Sequence, residues 1–324
     1  MRKMLSPRRF GSLAFIVTIL LGAPAPLRAT LLVYEGFNYG GSSIANLNGT
    51  AATGTGLQGN WTVTNVLPGG GSASSAYQSS GLTFGANFLT SSGGALLSTT
   101  KFSGSDASTI ATAQLNASTS GVLWSSYLMN INTMALANGG STFEGIATAA
   151  SGTPTSFGSS IISNAAVTDR KLLVNYDNAS TSSGNTTFSN ATDYLVLSKY
   201  TNVGNVLTGS TTGVATTWVF TVAGYENWLA GGATEATLTA NAVRAQSDAA
   251  VITGTYNFDS SGYLTLKSGP PDFNGEQTIV VYDEIRYGTE LKDVVAIPEA
   301  GSGVMTALGL TGLALVRRFR RHLR

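Results

Sequence analysis

The shortness of its apolar runs most constrains what this chain can fold into. Between Thr30 and about Val295 these runs are LLVYEGF (31–37), WTVTNVL (61–67), VLWSSYLMN (122–130), KLLVNY (171–176), YLVLSKY (194–200), TTWVFTV (216–222), YLTLK (263–267) and TIVVYDEIRYG (278–288). Most are β-branched or aromatic, and most are bounded by Gly, Asn, Asp, Ser or Pro, the residues of turns. Several alternate with a period of two. In YLTLK, Leu264 and Leu266 face one way while Tyr263, Thr265 and Lys267 face the other. The best window for a helix, ENWLAGGATEATLTANAVRA (226–245), is broken by glycines. Many short strands without alternating helices predict an all-β antiparallel sandwich. No fixed-period repeat argues for a solenoid or propeller. The polar stretch SGNTTFSNAT (183–192) reads as a loop between two strands. Four Trp and most of the Tyr lie in this body, too much apolar material for a disordered chain.

Charge divides the chain into three. The net charge of +1 includes five basic side chains and no acid in residues 1–29, and five arginines and no acid in 317–324. Eight basic groups then face all 17 acidic ones in the middle, a net of about −9. An acidic body repels phosphate backbones, which argues against nucleic acid as a partner. There is no cysteine, so disulfides and thiolate metal sites are excluded. The one histidine, His322, lies in the arginine tail, so the body can hold no His-dependent triad. A body of about 265 residues is long enough for a large single core without staples.

The ends have their own grammar. Arg2, Lys3, Arg8 and Arg9 precede an apolar run from Leu13 to Leu21, and Gly22, Pro24 and Pro26 follow it. Basic, apolar, then small and helix-breaking is the layout of a secretory signal, so residues 1–29 read as a signal peptide cut after Ala29. Leu27 stands where a small residue is preferred. An uncleaved N-terminal anchor and a twin-arginine signal at Arg8-Arg9 are the alternatives. At the other end, Pro298-Glu299 leads into a stretch without charge, and Arg317, Arg318, Arg320, Arg321 and Arg324 follow. Residues 300–316 make a helix of roughly 25 Å, close to a thin hydrocarbon core. The arginines stay cytoplasmic by the positive-inside rule, which leaves the body outside.

The order in 296–324 resembles the PEP-CTERM sorting signal of Gram-negative bacteria: a Pro-Glu-Pro motif, an apolar helix and an arginine-rich end. Pro298 and Glu299 match the motif, and Ala300 departs from its third position. The resemblance implies export, transient residence in the inner membrane, cleavage by an exosortase-type peptidase and display at the cell surface or in the matrix. A permanent tail anchor without cleavage is the alternative. Residues 30–295 resemble bacterial LamG-like domains of the concanavalin A-like jelly-roll fold. The opening VYEGFNYGGSSIANLNG (33–49) with GNWTV (59–63) carries that resemblance, as does the closing VYDEIRYGTELKDVV (281–295). Weaker likeness runs through SGLTFGANFLTSSGG (80–94), LWSSYLMN (123–130) and DYLVLSKY (193–200). It implies that the first and last strands lie near each other, and that the body binds polysaccharide as lectins do.

Candidate chemistry in the body is sparse. Concanavalin A-like glucanases carry acids in an E-x-D-x-x-E arrangement, and no Glu here has Asp two residues later. Asp283 and Glu284 are adjacent, so in a strand they point to opposite faces. Asp283 shares parity with Val281 and Ile285, which predicts a partly buried structural carboxylate. PPDFNGEQ (270–277) places Asp272, Asn274 and Glu276 at alternate positions on a tight loop, a candidate calcium site or simply a polar turn. GYENWLAGG (224–232) is the best candidate for a sugar-binding loop, through Tyr225, Glu226, Asn227 and Trp228. Core packing of Trp228 is the competing reading, and Trp61, Trp124 and Trp218 read as core. Six N-x-[ST] sequons, at Asn48, Asn60, Asn116, Asn178, Asn185 and Asn190, suit the Asn/Thr-rich composition, and a bacterial host would not read them. The expectation is a non-enzymatic envelope or matrix protein that adheres to polysaccharide. A carboxylate-based glycosidase or lyase, and a passive structural protein without ligand, are the alternatives.

Overall fold

A computed structural model describes residues 30–295 apart from 68–70, 86–87, 89–92, 102–107, 135–139, 150–156, 164–166, 177–178, 205–211, 252–257 and 270–276. The signal-like residues 1–29 and the tail 296–324 therefore lie outside the described residues, and so do Asp272, Asn274 and Glu276 of the calcium candidate. No helix among the described residues is long and apolar enough to cross a membrane.

The strands run β1 (Leu31–Glu35), β2 (Leu57–Val66), β3 (Ser72–Gln78), β4 (Ala95–Lys101), β5 (Ser108–Leu115), β6 (Gly121–Thr133), β7 (Ser141–Ala147) and β8 (Phe157–Ile162). They continue with β9 (Lys171–Tyr176), β10 (Ala179–Ser182), β11 (Asp193–Val203), β12 (Thr212–Phe220), β13 (Arg244–Val251), β14 (Tyr263–Gly269) and β15 (Gln277–Gly288). Three short helices follow β12 or end the body: α1 (Val222–Ala230), α2 (Leu238–Asn241) and α3 (Leu291–Val294).

All pairings are antiparallel and build two sheets, as the strand-and-turn pattern predicts. One runs β13-β12-β11-β6-β15-β4-β3, with β1 also on β15. The other runs β10-β9-β8-β7-β14-β5-β2. The first and last strands of the body are direct partners, with Val33 opposite Tyr287 and Glu35 opposite Ile285.

Period-two alternation decides what each strand buries. Along β6, Leu123, Tyr127, Met129 and Ile131 enter the core between the sheets. Trp124 and Leu128 enter a second apolar cluster on the other side of the same sheet. Helix α1 covers that second cluster. It starts at Thr221, whose hydroxyl accepts from the Gly224 N–H at 3.3 Å, and it stops at Gly231 and Gly232, the latter at φ +95°. A left-handed residue just past the last turn ends a helix. The glycines that break the 226–245 window thus end one helix before a second short one, α2. Helix α3 docks on the same face: the Ser126 hydroxyl donates to the Val294 carbonyl at 2.5 Å. The 183–192 segment is a loop, as expected. Buried Arg170 donates from its guanidinium to the Phe188 carbonyl and, at 2.6 Å, to Asn190 Oδ1.

One expectation needs correction. Asp283 is buried and structural, its Oδ2 accepting from Leu82 N–H and its Oδ1 from Glu284 N–H, both at 2.7 Å. It does not share a face with Ile285. Between Asp283 opposite Leu128 and Arg286 opposite Ser126, β15 holds one residue more than β6. Glu284 takes up the excess at φ +51°, a bulge that resets the alternation. Val280 and Tyr282 face the inter-sheet core before it, and Ile285 and Tyr287 after it.

Candidate functional site

The site grows from the end of β1. Glu35 shares parity with Val33 and Phe37, both wholly buried, so a carboxyl enters an apolar face. Its oxygens find donors close by. Oε1 accepts from the Phe37 N–H at 2.6 Å and Oε2 from the Tyr39 hydroxyl at 3.2 Å. The Tyr39 oxygen accepts in turn from Trp61 Nε1 at 2.6 Å. Phe37 stands at φ +48° to make this turn, and its ring stacks on Trp61 at 5.8 Å. Burial pushes the Glu35 carboxyl up to about 7, against the lowering effect of the Phe37, Tyr39 and Gly54 hydrogen bonds. Burial and the Glu35 charge push the Tyr39 phenol up.

On the other face of β1, Tyr34 donates to Glu284 Oε1 at 2.9 Å. Arg286 pairs with Glu284 Oε2 at 2.6 Å, and its guanidinium lies 4.6 Å from the centre of the Tyr34 ring. The strand is thereby clamped on both faces.

A solvent-open cavity of about 230 Å³ sits beside this clamp, lined by Tyr34, Glu35, Gly36, Asn38, Thr53, Gly54 and Thr55. The Thr53–Thr55 turn is held against β1 by Tyr34 N–H donating to the Thr55 carbonyl at 3.0 Å. Close approach explains the two glycines in the wall. A Cβ at Gly54 would stand 2.4 Å from the Tyr34 carbonyl oxygen and 3.0 Å from Glu35 Oε2, and one at Gly36 would stand 2.4 Å from the Tyr34 hydroxyl. Asn38, Thr53 and Thr55 are exposed at the rim. Amide and hydroxyl groups both donate and accept, so the rim can bind polar groups of either sense.

A second carboxyl, Glu144 on β7, is sealed inside the sandwich. The Tyr287 hydroxyl donates to its Oε1, and Oε2 has no hydrogen-bond partner among the described residues. Tyr127, Tyr200 and Tyr282 surround it from β6, β11 and β15, and its charge helps to push the Tyr127 and Tyr200 phenols up, after burial itself. Burial raises Glu144 to about 8, opposed only by the Tyr287 hydrogen bond. Glu144 is wholly buried between the sheets.

The residues singled out for sugar binding fall elsewhere, and there the expectation is corrected. Tyr225–Trp228 is part of α1, not a loop. Tyr225 and Trp228 are 1% and 0% exposed and lie in the second cluster, where Tyr225 packs 5.7 Å from Phe84 and 5.8 Å from Phe88. Spacing of three places both rings on the helix face toward the sheet. Trp228 Nε1 donates to the Thr234 carbonyl at 2.9 Å. Only half-buried Glu226 and exposed Asn227 reach outward. Trp61 is core, and Trp124 stacks on Trp218 at 6.0 Å in the second cluster. Glu35, Asn38 and Gly54 are not among the candidates that the sequence singles out. A carboxyl between Val33 and Phe37 on the apolar parity of a strand was the available signal.

Among the described residues, no group of three His, Cys, Asp or Glu forms a metal cluster. The sorting residues Pro298, Glu299, Ala300, Arg317, Arg318, Arg320 and Arg321 lie outside the described residues. No protein-family model and no curated protein matches the chain. Among solved structures it is similar to lectin II from Ulex europaeus, with 9% identity over 81% of this chain and 99% of that one, at a TM-score of 0.38. It is similar to the globular domain of T. cruzi calreticulin, with 10% identity, 90% and 100% coverage and a TM-score of 0.40. It is also similar to a structure of botulinum neurotoxin type C, with 11% identity over 77% of this chain and a TM-score of 0.38, and it spans 48% of that chain.

Proposed function

We propose that this is an exported, surface-sorted, non-enzymatic protein of the envelope or extracellular matrix that adheres to polysaccharide. The observation that carries the binding half is the solvent-open cavity with a polar rim at the end of β1, held on a strand clamped from both faces. Rigid support of this kind favours recognition, because less freedom is lost on binding. At about 230 Å³ the cavity is smaller than the roughly 300–1,000 Å³ of drug-sized sites, which suits one sugar ring of a longer chain.

The carboxyl arrangement supports binding over cleavage. Glycoside hydrolysis needs two acids about 5–10 Å apart across one bond. Glu35 spends its oxygens on Phe37 and Tyr39, and Glu284 spends its own on Tyr34 and Arg286. Consecutive strand residues point to opposite faces, so the side chain of Glu35 and the Tyr34 ring that holds Glu284 leave β1 on opposite sides. Export and sorting rest on the basic-apolar N-terminus and on Pro298-Glu299, the uncharged stretch and the arginines, with an exosortase-type peptidase as partner.

The test is affinity electrophoresis of the secreted protein through gels containing single polysaccharides, with a reducing-end assay on the same mixtures. Retardation without new reducing ends is the expected result. New reducing ends that Glu35→Gln abolishes would establish a glycosidase. Neither retardation nor cleavage would leave a passive structural protein.

A further inference from the structure

We infer that the cavity at the end of β1 takes an uncharged, hydroxyl-rich sugar unit and turns away uronate and sulfated units. The inference rests on the binding reading above and names the ligand class of that same site.

Charge and hydrogen-bonding sense both point this way. Among the described residues, seven line the cavity, and none is Lys or Arg. The wall does contain a carboxyl, Glu35, which is 1% exposed and fixed by Phe37 N–H and Tyr39 OH. The nearby cation, Arg286, is already paired with Glu284 and laid over the Tyr34 ring. A carboxylate or sulfate seated here would stand beside an acid and would gain no counter-charge, so electrostatics disfavours it. The body around the site adds to this, with eight basic groups against 17 acidic ones between residues 30 and 316. A neutral sugar meets the opposite situation. Its hydroxyls donate and accept, and so do the Asn38 amide and the Thr53 and Thr55 hydroxyls at the rim.

The experiment uses affinity electrophoresis of the full secreted protein at fixed ionic strength. The probes are dextran, galactan and mannan, each against its uronate counterpart: polyglucuronate, polygalacturonate and polymannuronate. Asn38→Ala and Thr55→Val remove exposed rim groups and leave the clamp intact. Asn38→Lys supplies the missing cation, and Asn227→Lys adds the same charge on α1, outside the lining. The expected result is retardation by at least one neutral polymer and not by its uronate. Each rim deletion should weaken it about two- to tenfold, as one hydrogen bond does. Asn38→Lys, but not Asn227→Lys, should bring measurable uronate retardation. Uronate retardation as strong as that of the neutral polymer, and sensitive to Asn38→Ala, would overturn the inference while leaving the binding reading in place. Neutral retardation indifferent to Asn38→Ala and Thr55→Val would do the same, by placing the site elsewhere. No retardation by any polymer would overturn both.

Discussion

Replacing Glu144 with Gln should stabilise the protein at neutral and alkaline pH and change it little in acid. Glu144 is wholly buried, receives one hydrogen bond, from Tyr287, and is ringed by Tyr127, Tyr200 and Tyr282. The ion pairs among the described residues lie elsewhere. Burial raises its carboxyl from 4.5 to about 8. The sign follows from which state holds the proton. Between about 4.5 and 8 the unfolded chain releases it and the folded chain keeps it, so folding takes up a proton. The stability this group contributes is full below about 4.5, falls as pH rises, and is gone above about 8. At about 1.4 kcal/mol per unit the whole window amounts to about 5 kcal/mol, of which about 3 is lost by pH 7. Net stabilities are about 5–15 kcal/mol, so the effect is large. Gln has nearly the same shape, keeps an acceptor for Tyr287 and cannot ionise. Urea unfolding of the purified protein, followed by tryptophan fluorescence at pH 5, 7 and 9, gives the difference between variant and natural protein. That difference should grow in favour of the Glu144→Gln variant by about 1.4 kcal/mol per pH unit up to about 8 and then level off. Glu35 titrates in the same direction in both proteins and cancels. A difference that does not change with pH would mean that Glu144 is charged in the folded protein, and the buried-acid reasoning would be wrong.

Trp228→Ala should cost roughly 3–5 kcal/mol in the same assay and leave polysaccharide retention of the still-folded fraction unchanged, because the ring fills the second cluster. Gly54→Ala should lower both stability and retention, since its Cβ meets a backbone oxygen at 2.4 Å; unchanged retention would separate the turn from the site. Mass spectrometry of the protein from its host should find a C-terminus near Pro298, and an intact Arg324 on surface-exposed protein would mean a plain anchor. Val295 is 1% exposed and only three residues before Pro298, so processing should occur within about 10 Å of the packed body.

How far the fold could be read from sequence depended on apolar contrast. KLLVNY is β9 residue for residue, and TIVVYDEIRYG falls within β15. TTWVFTV overran β12 by two residues, because Thr221 turns from strand to helix cap. Strands such as β3 (SASSAYQ) and β8 (FGSSII) gave no run to notice. Their inward positions include serines, which are small and find partners across the core: Ser75 with Thr109 at 2.9 Å and Ser159 with the Tyr127 hydroxyl at 3.1 Å. A satisfied hydroxyl pair is a legitimate core element, but its strand does not stand out by hydropathy.

The site escaped for a related reason. A search for sugar-binding groups weighs exposed aromatics, and here the aromatic pair at Tyr225 and Trp228 is packed inward by helical spacing that a glycine-rich loop reading hides. The informative signal was instead an acid out of place. Glu35 stands on the apolar parity of Val33 and Phe37, and Glu144 on that of Ile146. An acid in such a position must be either satisfied by local donors or held neutral. The structure contains one of each kind: Glu35 is tied to Phe37 and Tyr39 at the cavity wall, and Glu144 lies sealed beneath Tyr287. What separates a wall of a site from a strut of the core is whether the turn beyond the strand leaves space. That depends on Gly36 and Gly54 approaching Tyr34 more closely than any side chain allows, a tertiary contact that no period in the sequence records.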